Sequence, residues 1–217
     1  MPRERNDLFR NSNSKPKEKI FVLAYEGNNT EAIYFEDLKD SNRFNDDLIY
    51  LFSLRRLKND TKSAPTHVFK KLKREAKEEF NFSDKDELWM VIDRDEWANI
   101  PEILDLCKKE GNFYLALSNP CFELWILLHI KDLSEFASQE LIDIYENKKV
   151  SARKTYLKRL LGTLLEHGYN ESDLKSHRFI HAVDIAIERA KKLDDMAEEY
   201  PTKLGSHVYK LVEKIIK

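Results

Sequence analysis

Four short apolar runs, separated by stretches with helical periodicity, are the feature that most constrains the fold of this chain. Each run is continuously apolar rather than alternating, as expected for strands that are buried on both faces. The runs are residues 20–25, 48–54, 88–92 and 113–117. The segments between them, 30–39, 66–80 and 101–110, carry apolar side chains at helical spacing. Strands that alternate with helices predict an α/β fold, with a parallel sheet flanked by helices.

After Pro120 the pattern changes to helices, and no further strand is predicted. We expect helices over 121–130, 138–147, 152–166 and 177–199. Pro201 ends the longest of them, and Ser206 is expected to cap a final helix. The chain therefore divides, on this interpretation, into three parts. They are a flexible basic arm (1–18), an α/β domain (19–130) and a helical C-terminal extension packed on it (131–217).

Composition excludes several classes of protein. The five glycines never stand at the spacing of a P-loop or of a GxGxxG loop, which argues against a P-loop NTPase or a dinucleotide-binding domain. The net charge of −2 excludes a uniformly basic nucleic-acid binder but leaves room for a local basic groove. Two cysteines are too few for a disulfide framework or a Cys-rich zinc site. Since no apolar run approaches the length of a membrane span, we expect a cytoplasmic protein with no membrane segment.

Acidic and other oxygen-bearing side chains follow three of the four predicted strands. Glu26 ends the first strand, Asp93 and Asp95 follow the third, and Ser118 ends the fourth with Glu123 shortly after it. Because ligands of parallel sheets bind at the carboxyl ends of the strands, we expect these groups to meet. Clustered carboxylates repel one another unless a cation neutralises them, and such oxygen ligands suit Mg²⁺ or Mn²⁺. A cation there could support phosphodiester cleavage.

Each of these acids also has a structural interpretation. Glu26 could be an acid that favours the N-terminus of the following helix. The segment from Asp93 to Glu96 could be a solvated turn. Glu123 is the only acid in an otherwise apolar run of ten residues, so it is either a ligand or an N-terminal helix residue with backbone partners.

Basic residues near the strand ends are candidates for phosphate binding. Arg55 and Arg56 directly follow the second strand, and guanidinium groups hold phosphates well. By contrast, the spacing of His177 and His181 lacks the glutamate of a zinc-protease motif and favours an ordinary polar surface.

Three motifs, taken together and in this order, resemble those of RloB-like proteins, and the resemblance covers about residues 19–217. The first consists of Tyr25-Glu26-Gly27, Thr30-Glu31 and Tyr34-Phe35. The second is Asp93-Arg94-Asp95-Glu96, and the third runs from Ser118-Asn119-Pro120 to Glu123-Leu124-Trp125. The tail, with Pro201-Thr202, Val208 and Leu211-Val212, is similar to the usual ending of that family.

The resemblance implies a Toprim-like fold, related to the Toprim domains of primases, topoisomerases and OLD-type nucleases. In Toprim enzymes an acid after the first strand and an Asp-x-Asp pair after the third hold Mg²⁺, which implies that role for Glu26, Asp93 and Asp95. Glu123 resembles a further acid that could serve a second metal, with Ser118 beside it. OLD-type nucleases also use a late lysine, for which Lys148, Lys149 and Lys154 are all open.

The resemblance also implies a function. RloB-like proteins are linked to bacterial phage defence, often beside an AAA or ABC-type ATPase. We therefore expect a divalent-metal-dependent nuclease that acts on DNA or on structured RNA such as tRNA. Whether the chain forms a homo-oligomer is left open. The alternative is a non-catalytic Toprim-like subunit that binds nucleic acid or regulates the ATPase.

Overall fold

The computed structural model describes residues 19–27, 29–54, 64–79, 85–94, 97, 99–152 and 154–217. Within these residues the predicted alternation of strands and helices is confirmed through residue 119. It runs β1 (Lys19–Tyr25), α1 (Thr30–Asp40), β2 (Ile49–Leu54), α2 (Pro65–Glu79), β3 (Glu87–Asp93), α3 (Ile100–Glu110) and β4 (Phe113–Asn119).

Helices dominate the rest of the chain, as predicted. They are α4 (Phe122–Ile130), α5 (Ser138–Glu146), α6 (Tyr156–Leu164), α7 (Val183–Leu193) and α8 (Val208–Ile215), with 3-10 turns at Leu133–Glu135, Ser176–Arg178 and Ile180–Ala182. A short strand, β5 (Gly205–Ser206), precedes α8. No helix in the described ranges has the length and apolarity to cross a bilayer.

The sheet has the strand order β2-β1-β3-β4-β5. The first four strands are parallel, so the ends of β1 and β3 lie side by side at one edge. In this register Asp93 stands beside Ser118. Only β5 is antiparallel to its neighbour. The result is the predicted α/β architecture, with acidic strand ends gathered at the carboxyl edge.

Two apolar cores cover the two faces of the sheet. Alternate β1 residues such as Val22 pack with α2 and α3, whereas Phe21 and Leu23 pack with α1, α4 and the C-terminal helices. Helix α4 is apolar all round because it is enclosed on every side. The side chain of His129, near its end, is bonded through Nδ1 to the Trp125 carbonyl (2.9 Å) and through Nε2 to the Tyr34 hydroxyl (3.1 Å).

Two features of the C-terminal part differ from the sequence predictions. The single helix expected over 177–199 is replaced by two 3-10 turns and α7. Asp37 holds the start, since its carboxylate accepts from the backbone N–H of His177 (3.0 Å). At the other end, Asp194 leaves the helix to accept hydrogen bonds from His207 (2.7 Å) and Tyr209 (2.6 Å).

Ser206 was expected to cap the final helix, but it belongs to β5 and the cap position is His207. The Ser206 hydroxyl is paired with that of Ser118 at 2.8 Å, which places it against β4. The expectation that no strand follows Pro120 is therefore wrong for these two residues. Helix α6 also begins later than predicted, because Thr155 is held in a bridge with Lys149.

Candidate active site

Glu26 links the ends of the two central strands. Its backbone N–H continues the β1–β3 ladder by donating to the Val91 carbonyl at 3.0 Å. Its carboxylate accepts from the backbone N–H of Asp93 (3.0 Å) through Oε2 and from the Trp97 indole N–H (3.1 Å) through Oε1. The side chain is buried. Two N–H donors thus supply the hydrogen bonds that a buried carboxylate requires.

Asp93 connects the end of β3 with the beginning of α4. Its Oδ1 accepts from the backbone N–H of Phe122 at 2.8 Å, one of the N–H groups that have no partner within the helix. The negative charge also stands at the positive end of the helix dipole, which is favourable. Asp93 is only half-buried and faces a cavity.

This acidic cavity has a volume of about 390 Å³ and lies at the carboxyl edge of the sheet. Four carboxylates line it: Glu31 on α1, Asp93 at the end of β3, Glu123 on α4 and Glu171 in the loop after α6. Lys158, on α6, lines the same cavity. The cavity therefore brings together groups that are far apart in the sequence.

The surroundings of Glu31 strongly disfavour its charged form. Burial raises the pKa of its carboxyl to about 7, and the neighbouring charge of Glu123 adds to that effect. The backbone N–H of Gly27 donates to Glu31 Oε1 at 3.2 Å and acts in the opposite direction. A side chain at position 27 would meet this carboxylate, because an added Cβ would lie 2.4 Å from Oε2. Glycine at position 27 is what allows Glu31 to fold back over the turn.

Glu123 is buried but has two partners that sequence reasoning did not identify. Its Oε1 accepts from the Tyr169 hydroxyl at 2.7 Å, and Lys158 Nζ lies 3.8 Å from the same oxygen. Burial and the charge of Glu123 both raise the pKa of Tyr169, which keeps the phenol protonated as a donor. Glu123 is thus a buried acid that is held in place by a phenol and an ammonium group.

Lys158 also forms an ion pair with Glu171 at the rim of the cavity. Burial alone would lower the pKa of Lys158, but the bond with Glu171 and the charge of Glu123 outweigh it and raise that pKa. The side chain is about a quarter exposed (27%), so its ammonium group can reach the cavity.

The predicted site residues fall into three groups. Asp93 and Glu123 line the acidic cavity, whereas Glu26 does not line it but is bonded to the backbone N–H of Asp93. Ser118 and Lys154 are not among the residues that line it: Ser118 is fully buried against β5, and Lys154 is exposed. Asp95, Arg55 and Arg56 lie outside the described residues.

The other two lysines that were open as a late basic residue lie elsewhere. Lys148 forms an ion pair with Glu146 at 2.7 Å, and Lys149 lines a second cavity. Lys158 was missed because a lysine between helical apolar residues is the normal pattern of a solvated helix face. Glu31 was recognised only as part of a motif, since an acid in the first turn of a helix is equally typical of a dipole contact.

The acidic cavity supplies the kind of ligand that a hard divalent cation prefers. Burial and the charge of Glu123 raise the pKa of Glu31, and a cation bound nearby would favour its charged form again. Among the described residues alone, however, no three or more His, Cys, Asp or Glu side chains are grouped closely enough to hold an ion. The described residues would therefore supply at most two ligands to an ion. Oxygen atoms of solvent, of the substrate or of residues outside the described ranges would have to complete the coordination.

A second, larger cavity adjoins the first. It has a volume of about 890 Å³, and its walls include Arg94, Trp97, Tyr145 and Lys149. Asn147 and Thr155 line both cavities. Asn147 takes a left-handed conformation (φ 42°) and its Oδ1 accepts from the backbone N–H of Leu157 at 2.9 Å, which fixes the loop between α5 and α6 at this boundary.

The family model of RloB-like proteins matches residues 21–215 of this chain. The match includes all three sequence motifs and every residue that lines the acidic cavity. No curated protein and no solved structure matches the chain.

Proposed function

The chain belongs to the RloB-like family, and from this and from its acidic cavity we propose that it is a divalent-metal-dependent nuclease in bacterial phage defence. The substrate class is DNA or structured RNA such as tRNA. The observation that carries the proposal is that carboxylates from α1, β3 and α4 line one cavity at the carboxyl edge of a parallel sheet, where such folds bind ligands.

Asp93 and Glu123, together with Asp95, are the residues that would hold Mg²⁺ or Mn²⁺, with the Glu31 carboxyl beside them in the same cavity. When bound, such a cation supplies a Lewis acid that offsets negative charge on a phosphodiester and lowers the pKa of water. Glu26 has a different role in this proposal. Because both of its oxygens accept from N–H groups, it fixes the Asp93 backbone and so orients the neighbouring carboxylate.

Lys158 is the positive group that the described residues contribute to this site. Its ammonium group lies 3.8 Å from Glu123 and stays protonated, since its neighbours raise its pKa. A fixed cation beside the acids stabilises the charge that develops on a phosphate oxygen during cleavage. Lys158 therefore takes the part that the sequence assigned to Lys148, Lys149 or Lys154.

The ATPase partner belongs to the same proposal. Because the chain lacks a glycine pattern that could cradle triphosphate, any step that requires ATP has to be supplied by a separate AAA or ABC-type ATPase. The resemblance to RloB-like proteins, which often stand beside such an ATPase, supports this division of labour.

Cleavage by the purified full chain tests the proposal. Fluorescent DNA and tRNA substrates are incubated with the protein in Mg²⁺, in Mn²⁺ and in EDTA. Each reaction is run without and with the AAA or ABC-type ATPase that is encoded beside the protein. We expect cleavage that requires the cation and falls about 100-fold or more in Asp93→Asn and in Glu123→Gln. Asp105→Asn is the matched control, because Asp105 is exposed on α3 and does not line the cavity. Equal cleavage in EDTA, or full activity of both site variants, would contradict the proposal.

One observation favours a second candidate, a non-catalytic regulatory subunit. The Glu26 carboxylate already has two N–H donors, as a purely structural acid would. If this candidate is correct, Asp93→Asn leaves assembly with the ATPase intact and no substrate is cleaved by the wild type under any metal condition.

A further inference from the structure

The second cavity combines features that the acidic cavity lacks. It is more than twice as large, at about 890 Å³ against 390 Å³, and it is lined by two aromatic and two basic side chains. Tyr145 is 47% exposed and Trp97 is half-buried, so aromatic surface is accessible from solvent. Such a volume lies in the upper part of the range of about 300–1,000 Å³ that is typical of ligand cavities.

The charge of this cavity suits a polyanion. Arg94 and Lys149 line it, and Lys149 is exposed with no ion-pair partner in the described part of the chain. Its acidic wall residue, Glu146, is neutralised by Lys148 at 2.7 Å. Positive charge beside exposed aromatic rings is how proteins bind single strands, since phosphates meet cations and unpaired bases stack on rings.

The two cavities are also connected through shared groups. Arg94 directly follows the acidic Asp93, and Trp97 donates its indole N–H to Glu26. Asn147 and Thr155 form a common boundary. A strand that occupies the acidic cavity could therefore continue into the cavity that Trp97 and Tyr145 line.

We infer that the second cavity binds an unpaired stretch of a nucleic-acid strand, with a base stacked on Tyr145 and a phosphate on Lys149. The inference rests on the proposed function only for placing the cleaved bond in the neighbouring acidic cavity. Binding itself needs neither a metal ion nor cleavage. A base inside a duplex cannot present its face to a ring, so the site selects single strands.

Equilibrium binding in EDTA tests this inference separately from cleavage. Fluorescent oligonucleotides of about ten nucleotides, of DNA and of RNA, are titrated with the full chain as single strands and as blunt duplexes. We expect single strands to bind more tightly than duplexes of the same sequence. Tyr145→Ala should weaken single-strand binding about fivefold or more, the loss of one stacked base.

Matched variants separate stacking from damage to the fold. Tyr145→Phe keeps the ring and should bind nearly as the wild type does. Ile142→Ala changes a residue on the same helix with similar exposure (50%) outside the cavity, and it should have no effect. Melting curves establish that each variant is folded.

The dependence on salt tests the phosphate contact. Lys149→Ala should reduce the slope of log affinity against log salt concentration by about 0.7, the contribution of one phosphate of a single strand. Lys192→Ala removes an exposed lysine that does not line the cavity and should leave the slope unchanged.

The outcomes are distinct. Unchanged binding by both Tyr145→Ala and Lys149→Ala, or duplex binding as tight as that of single strands, would overturn the inference. If the wild type binds single strands as expected but never cleaves them, the nuclease proposal fails while the binding site stands. The oligonucleotide that binds more tightly, RNA or DNA, identifies the kind of nucleic acid that the second cavity prefers.

Discussion

Asp93 has a capping role in the structure and a metal-binding role in our proposal, and a pair of substitutions can separate them. As a helix cap, it needs only an acceptor oxygen for the Phe122 N–H, 2.8 Å away. As a metal ligand, it needs its negative charge. Asp93→Asn keeps an acceptor at Oδ1 and loses the charge, whereas Asp93→Ala loses both.

The expected sizes follow from these contacts. Loss of the cap in Asp93→Ala costs about 1 kcal/mol, which for a chain of this size lowers the Tm by about 2–4 °C. In Asp93→Asn the lost attraction to the helix dipole is partly offset by relief of repulsion from Glu31 and Glu123, so the metal-free Tm stays close to that of the wild type. A cation at a hundredfold excess over its Kd stabilises the wild type by about 2.7 kcal/mol, or about 5–10 °C.

Thermal melts with and without Mg²⁺, Mn²⁺ and Ca²⁺ measure both effects. We expect the wild type and Asp105→Asn to gain Tm with metal, and both Asp93 variants to gain little. A full metal response in Asp93→Asn would refute Asp93 as a ligand. Equal metal-free stability of the Ala and Asn variants would refute the capping role.

Three further predictions use other parts of the structure. Lys158→Met should lower the cleavage rate about 100-fold while Lys158→Arg retains part of it, and unchanged cleavage by the Met variant would remove Lys158 from the site. Gly27→Ala should push Glu31 aside and reduce the metal-induced rise in Tm, because its Cβ would lie 2.4 Å from the carboxylate. Its control is Gly162→Ala in α6, where the nearest atom would be 3.9 Å from the added Cβ. This control should raise the free energy of unfolding by up to about 1 kcal/mol, because alanine favours a helix more than glycine does. Burial lowers the pKa of His129 to about 4. As the pH falls from about 6.5 to 4, the imidazole therefore binds a proton in the unfolded chain but not in the folded chain. Relative to His129→Phe, the wild type should therefore lose about 3 kcal/mol of unfolding free energy over that range in urea titrations. The raised pKa of Glu31 acts in the opposite direction, but equally in both proteins, so the same pH dependence in both would contradict this account.

The α/β half of the fold could be predicted because its strands are buried on both faces. That burial requires uninterrupted apolar runs, and the runs of β1 and β3 end within one residue of the prediction. The C-terminal half was harder. The apolar stripe over 177–199 is real, but tertiary bonds at Asp37 and Asp194 decide where the helix begins and ends. A strand as short as β5 leaves no periodic signal to detect.

The candidate site shows the same division. Glu26 and Asp93 could be located from sequence because they directly follow strands, and topology alone places strand ends together. Lys158 and Tyr169 could not, because their approach to Glu123 depends on how α6 and the loop after it pack against α4. Whether Asp95 joins the same cavity stays a prediction.

The short strand β5 affects when this chain can complete its fold during synthesis. It returns the C-terminal part to the edge of β4, and the segment that follows is fastened to residues before β2: Asn45 donates to the Ile215 carbonyl at 2.9 Å, and Phe44 bridges to Ile216. Helix α4, which is almost entirely apolar, is therefore fully covered only when residues 183–216 have left the ribosome. At about 5–20 residues per second, that leaves a newly made α4 partly uncovered for several seconds or more. During this interval the nascent chain exposes apolar surface, so we expect interruption of translation before β5 to leave an aggregation-prone chain.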